Sequence, residues 1–216
     1  MPFIKMKASS DGFTLVEVLI TLLLGGIIMT SVMTSFFSQH KAYRAQEEIV
    51  TMQQNLRSAM DLMAREIRMA GYDPTGDANA GIIDATATEL EFTMDLLGDG
   101  ATDGPNEHLA YRLNNNATIG RWTGGIIYQP VAENFEALEF NYIMADGSTT
   151  TSPGNTDNIR GVQITLLARS DAPDPNYTDT RTYETGSGAI WEPDDNYLHH
   201  RRKLLIRTVM CRNLGL

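Results

Sequence analysis

"SSDGFTLVEVLITLLLGG", Ser9 to Gly26, decides how this chain begins. The apolar run continues to Phe37, and from Phe13 to Phe37 it holds one acidic residue, Glu17, and no basic one. As a helix it would measure roughly 37 Å at 1.5 Å per residue. A bilayer core is about 30 Å thick, so the segment is long enough to cross a membrane. Lys5 and Lys7 precede it and would keep the N-terminus on the cytoplasmic side. A cleavable secretory signal fits poorly, because the run is longer than an ordinary signal core and no small-x-small site closes it. A plain membrane anchor accounts for the apolar residues but not for Glu17. A carboxylate costs about 2.5–3.5 kcal/mol at a helix centre on insertion scales, and less near an interface. No basic residue of the segment can pair with it.

The run "GFTLVEVLI", behind a short leader with two lysines, resembles the processing signal of type IV pilins and type II secretion pseudopilins. The resemblance implies that a prepilin peptidase cuts between Gly12 and Phe13 and methylates the new amine of Phe13. Glu17 then becomes the fifth residue of the mature chain. There the family's glutamate neutralises the N-terminal amine of a neighbouring subunit. The physics is sound: opposite charges attract far more strongly in a dry filament core than in water, and either one left alone is heavily penalised.

Past Phe37 the apolar pattern narrows to a stripe. Ile49, Met52, Leu56, Met60, Met63, Ile67 and Ala70 follow steps of three and four, with charged and amide residues between them. That is one face of a helix, and it should pack on the downstream domain. Gly71 and Pro74 supply a stop. The pattern predicts one helix from about Phe13 to about Ala70, roughly 87 Å if unbroken. Gly25 and Gly26 weaken it locally, and no proline interrupts it before Gly71.

After Tyr72 the texture changes to alternating apolar residues and turn chemistry. Strands are predicted over 89–97, 107–114, 124–131, 135–144, 161–169 and 202–212. Short links between them imply one or two antiparallel sheets. The polar stretch 170–201 is predicted as a long surface loop. The fold class is therefore α+β and pilin-like: a long N-terminal helix, transmembrane then amphipathic, packed on an antiparallel β head. The expected divisions are a leader over 1–12, a membrane or filament-core half over 13–37, an amphipathic half over 38–72, and a head over 73–216. "LMAREIRMAGYDPTG", "LLARSDAPDPNYTD" and the ending "RRKLLIRTVMCRNLGL" resemble PilW-type minor pilins, related in build to J-type pseudopilins.

The formal net charge is −10, which argues against sequence-independent nucleic-acid binding. The single cysteine, Cys211, allows no intramolecular disulfide and reads as a small buried hydrophobe. Acidic residues cluster at Asp95, Asp99, Asp103 and Glu107, with Gly100 beside them. This partly matches a calcium loop, although Leu97 stands where a ligand is normal and the glutamate falls one residue late. A solvated hairpin turn explains the same residues. "HHRRK", His199 to Lys203, is the one basic run; it reads as a solvated strand entrance, or as a contact for an acidic neighbour or DNA. There is no Walker loop, nucleophile elbow or HExxH, so enzyme chemistry has no residues to rest on.

The resemblance implies a minor pilin that primes pilus assembly near the tip, with a type II secretion pseudopilin as the alternative. A different class, a membrane-anchored calcium- or ligand-binding module that never polymerises, fits the same head. The implied partners are prepilin peptidase, other minor pilins, the major pilin, the inner-membrane assembly platform and, before assembly, membrane lipid. Nucleic acid is not expected. No cofactor is required, with calcium the only candidate. The implied location is the bacterial inner membrane, single-pass with a cytoplasmic N-terminus, then an extracellular pilus or a periplasmic pseudopilus.

Overall fold

A computed structural model describes residues 12–215. Lys5, Lys7 and the leader up to Asp11 lie outside the described residues. The chain divides into two compact units, one up to Gln46 and one from Glu47 onward.

The first unit is the leading part of helix α1, Leu15–Ile67, which runs through Gly25 and Gly26 without a break. Its apolar side chains are exposed, from Phe13 through Leu22 and Ile28 to Phe37. The helix is long and apolar enough to cross a membrane.

The second unit is the head, with the closing turns of α1 as part of its core. Met52, Leu56, Ala59, Met60, Met63, Ala64 and Ile67 are all buried. Their spacing of three and four residues puts them on one face, as the sequence stripe predicts. They join one hydrophobic cluster with residues of two antiparallel sheets. The first sheet has the order β1 (Ile82–Ala85), β2 (Glu89–Thr93), β3 (His108–Asn114), β4 (Thr118–Trp122), β5 (Gln129–Glu133). The second has the order β11 (Arg202–Met210), β8 (Ile159–Arg169), β6 (Phe135–Met144), β7 (Thr149–Thr150). The fold class expected from the sequence is the one found.

Strand boundaries differ from the expectation in places. The stretch 124–131 is not one strand: Gly124 turns the chain at φ 84° and Ile126 and Ile127 project from a loop, so β5 begins only at Gln129. The strand β4 was not predicted; its sequence TIGRW is short and broken by a glycine.

Strand β8 is buried along almost its whole length. Ile164 and Leu166 join the core with Phe140 and Leu138 of β6. Thr165 points the other way, because side chains alternate along a strand. Its hydroxyl accepts from the Gly186 N–H at 3.1 Å. Nearby, Asn141 donates to the Gly186 carbonyl at 3.3 Å, and Glu139 accepts from the Ser187 N–H and hydroxyl at 3.2 and 2.9 Å. Segment 170–201 is therefore a cover over the outer face of the second sheet. It is not featureless, since it contains the small ribbon β9 (Tyr183–Glu184) and β10 (Ile190–Trp191) and a 3-10 turn at Asp195–Tyr197.

Two polar contacts tie α1 to the sheets. Glu66 accepts from Arg121 Nε and Nη2, both at 2.9 Å, and from the Tyr111 hydroxyl. Asp61 pairs with Arg207 of β11. The helix ends in a tightened turn, and Gly71, at φ 76°, redirects the chain while Leu214 packs where a side chain would stand. The Asn213 amide donates to the Met69 carbonyl at 3.5 Å. Cys211 is buried, and that burial pushes its thiol up to about 12.

The β3–β4 turn holds Ala117 at φ 58°. A left-handed conformation costs a non-glycine residue about 1–2 kcal/mol. Ala117→Gly is expected to stabilise the head by about 1 kcal/mol, part of the relief being offset by a more flexible unfolded chain. A denaturant titration whose midpoint does not rise would contradict this.

Candidate functional site

The candidate site is the start of α1. Gly12, Phe13 and Thr14 are non-helical and exposed, and a side chain placed at Gly12 would meet nothing within 4 Å among the described residues. The Gly12–Phe13 peptide is thus in a non-helical, open stretch of the described residues. Phe13 is 84% exposed.

Thr14 begins the helix. Its carbonyl accepts from the Val18 N–H at 3.2 Å. Its hydroxyl accepts from the Glu17 N–H at 3.3 Å, and the Glu17 carboxylate accepts from the Thr14 N–H at 3.2 Å. This reciprocal pair is a capping box, which satisfies backbone donors at a helix start. Its signature in the sequence is "TLVE", a Ser/Thr-x-x-Glu pattern. Glu17 therefore has a local role beside the one implied by the resemblance. Only Oε2 is engaged in these bonds. The other oxygen is left for a further donor. A carboxylate here also sits at the positive end of the helix dipole. Cutting before Phe13 would add a positive amine at that same end, where the dipole disfavours it.

The other sequence-selected residues lie in the head. The loop with the four acidic residues does not assemble them into one cation site. Asp95, which is buried, accepts from the N–H groups of Gly98, Asp99 and Gly100 at 2.6, 3.3 and 3.1 Å. Glu107, also buried, accepts from Leu96, Leu97 and Gly104, each at 2.8 Å. Asp99 and Asp103 are exposed. Among the described residues, no three Asp, Glu, His or Cys side chains converge on a point fit for a metal. The buried carboxylates are already surrounded by amide donors, which a cation would have to displace. Millimolar calcium is expected to leave the melting temperature unchanged, while Asp95→Ala, which strands three N–H groups, should cost about 3 kcal/mol. A calcium-dependent rise in melting temperature would overturn this account of the loop.

The basic run is dissolved into internal contacts. His199 and His200 precede β11 rather than lying on it, and their Nδ1 atoms contact the carbonyls of Tyr177 and Ser170, each at 2.7 Å. Arg201 pairs with Asp174 at 2.8 Å. The Arg202 side chain is fully buried, donating to Glu136 from Nε and Nη2 and standing 3.5 Å from Asp179. Only Lys203 remains as an exposed cation of the run.

Comparison with known proteins agrees with this geometry. The family described as prokaryotic N-terminal methylation motif matches residues 7–33. The family described as type IV pilus-assembly protein W, PilW, matches residues 127–213. No curated protein registers as a relative. Among solved structures the fold is similar to a type IV-like pilin from Thermus thermophilus, at 17% identity and a TM-score of 0.50, covering 76% of this chain and 98% of that one. With a methylation motif at the start, a PilW match over the later part of the head and a pilin-like fold, the chain resembles type IV pilin-like proteins of the PilW type.

Proposed function

We propose that the chain is a minor subunit of a type IV pilus that helps to start filament assembly near the tip. In this reading residues 1–12 are a leader that prepilin peptidase removes, and Phe13 is then methylated. Residues 13–37 hold the chain in the inner membrane with the N-terminus inward and later enter the filament core. Residues 38–72 carry the head, 73–216. One observation carries the reading: Glu17 stands near the start of a helix whose apolar side chains are exposed among the described residues, four residues after an open Gly12–Phe13 peptide. An apolar surface of this extent needs a partner. Lipid supplies it first and the helices of sister pilins supply it afterwards. Glu17 supplies the charge that makes the second partner specific.

A priming subunit controls how many filaments start, not how far each one grows. Removing the chain from its host should lower the number of filaments per cell and leave the length of the remaining ones unchanged, counted by electron microscopy. Unchanged filament number would refute the priming role. Secretion loss without pilus loss would instead favour the pseudopilin alternative.

A further inference from the structure

The two main sheets end at β1, β5, β7 and β11, and all of these edges but β11 are blunted. Strand β1 is four residues long, with an irregularity between Ile82 and Asp84. Strand β7 has two residues. Strand β5 holds Pro130, and its register to β4 shifts between Ile119 and Gly120. Short strands, prolines and bulges keep a sheet edge from pairing with another chain. Strand β11 has none of these devices. It runs nine residues without a proline, and its register to β8 is unbroken from Arg202 to Met210. We propose that the β11 edge is a docking site for an extended strand from the head of a sister pilin, which continues the second sheet into the neighbouring subunit. The proposal rests on the filament reading above.

The ladder shows which groups are on offer. The Cys211 N–H donates to the Arg160 carbonyl at 3.0 Å, and the Ser170 N–H donates to the Arg201 carbonyl at 2.8 Å. Antiparallel pairs alternate between bonded and unbonded. Between those two ends, Lys203, Leu205, Arg207 and Val209 therefore spend their backbone groups on β8, while those of Leu204, Ile206, Thr208 and Met210 face away from it. Among the described residues, these outward groups meet no hydrogen-bond partner. Ile206 stands opposite Thr165, so it lies on the outer face, and Ile206, Thr208 and Met210 are all exposed. Charge guards the edge only at its start, at Lys203, because Arg202 is buried and Arg207 is paired with Asp61.

A row of free N–H and C=O groups is complementary to an extended backbone, the mode of recognition called strand addition. Direction narrows the occupant. Arg207 meets Asp61, and Asn213 and Leu214 meet Met69 and Gly71, so β11 runs beside the closing turns of α1 and in the same direction. A two-fold antiparallel pair of β11 with its own copy would set the two sets of closing turns in opposition. A filament is built instead from heterologous contacts, in which the subunits share one direction. The occupant is therefore a different strand, one that runs against its own α1 and so lies antiparallel to β11. In the filament reading subunits pack through α1. Since β11 is fastened to that helix through Arg207, the edge is continuous with the packing face.

Thr208→Pro tests this, because it removes an outward N–H and leaves the β8 ladder whole. The full chain carrying it should melt close to the parent in detergent. In the host, its ratio in sheared filaments to membranes should fall roughly tenfold or more. The double change Ile206→Lys and Thr208→Lys alters only exposed side chains, and it should give the same loss; if the proline variant melts lower, this pair decides. A photo-crosslinker at Met210 should join the chain, in sheared filaments, to a strand peptide of another chain that has its own N-terminal methylation motif. The proposal is overturned if the lysine pair enters filaments like the parent. It is also overturned if the crosslinker joins nothing, a second copy of this chain, or a protein without that motif. Removing the whole chain separates the two readings. Unchanged filament number sinks the filament reading itself, whereas a lowered number with normal entry of the lysine pair sinks only the edge proposal.

Discussion

Glu17→Ala should be cut after Gly12 as the parent is, yet enter filaments at least roughly a hundredfold less readily. The magnitude follows from charge. After cleavage the Phe13 amine is positive, and in a filament it would lie among apolar helices. An uncompensated charge in such surroundings costs about 3–5 kcal/mol, and each 1.4 kcal/mol is a factor of about ten. The capping box complicates the alanine variant, since loss of a helix cap alone costs about 1 kcal/mol. Glu17→Gln separates the two effects. Glutamine can occupy the same capping position, but it carries no charge. Glu17→Gln should therefore assemble as poorly as Glu17→Ala, while Thr14→Ala should lose only the cap and assemble nearly normally. The measurement is the ratio of processed chain in sheared filaments to processed chain in membranes. Normal incorporation of Glu17→Gln would reduce Glu17 to a helix cap and remove the charge pair from the mechanism.

Arg202→Ala should destabilise the head by about 3–5 kcal/mol. Its guanidinium bridges Glu136 and Asp179 and donates to the carbonyls of His200 and Tyr197 at 3.2 and 2.9 Å. Removing it leaves two carboxylates without that cation and frees the cover segment from β11. Arg202→Lys should not rescue, because an ammonium lacks the planar fork that serves Glu136 from two nitrogens. Asp179 extends the network. Burial alone would raise its carboxyl, but hydrogen bonds from Arg181 and Tyr183 overcome this and hold it at about 2, below the ordinary 3.8. A carboxyl depressed on folding stabilises above its unfolded value and stops doing so as pH falls through its folded one. The head should therefore lose Asp179's contribution between about pH 4 and pH 2, and Asp179→Asn should flatten that acid limb. Near-UV circular dichroism against denaturant and pH measures both. An Arg202→Ala midpoint within error of the parent would show that the buried pair contributes nothing.

The helix and its inner face were legible because seven residues from Ile49 to Ala70 keep one period, and each lies in the core or against it. The PilW resemblance also fell on residues that the family match covers in part. The cover over β8 was not legible. It is polar in sequence, and it seals the sheet through hydrogen bonds at Glu139, Asn141 and Thr165 rather than through an apolar stripe. Apolar periodicity cannot reveal a layer held that way. "HHRRK" misled for a related reason: a charge's partner can lie far away in sequence, and Arg202 meets Glu136 across 66 residues. Asp95 and Glu107 looked like cation ligands because a carboxylate ringed by backbone amides leaves the same trace in sequence as one awaiting a metal.

The contacts that lock the helix exit come late in the chain. Arg207 reaches Asp61 across 146 residues, and Asn213 and Leu214 close on Met69 and Gly71. Contacts of such separation are slow to form, because a large loop must close before they are gained. Synthesis therefore delivers the helix first and its fastener last. During that interval the stripe from Met52 to Ile67 is bare, and a neighbouring stripe could bind it wrongly. A head of this design gains from being completed quickly, since its period of greatest risk lasts as long as the delivery of those later strands.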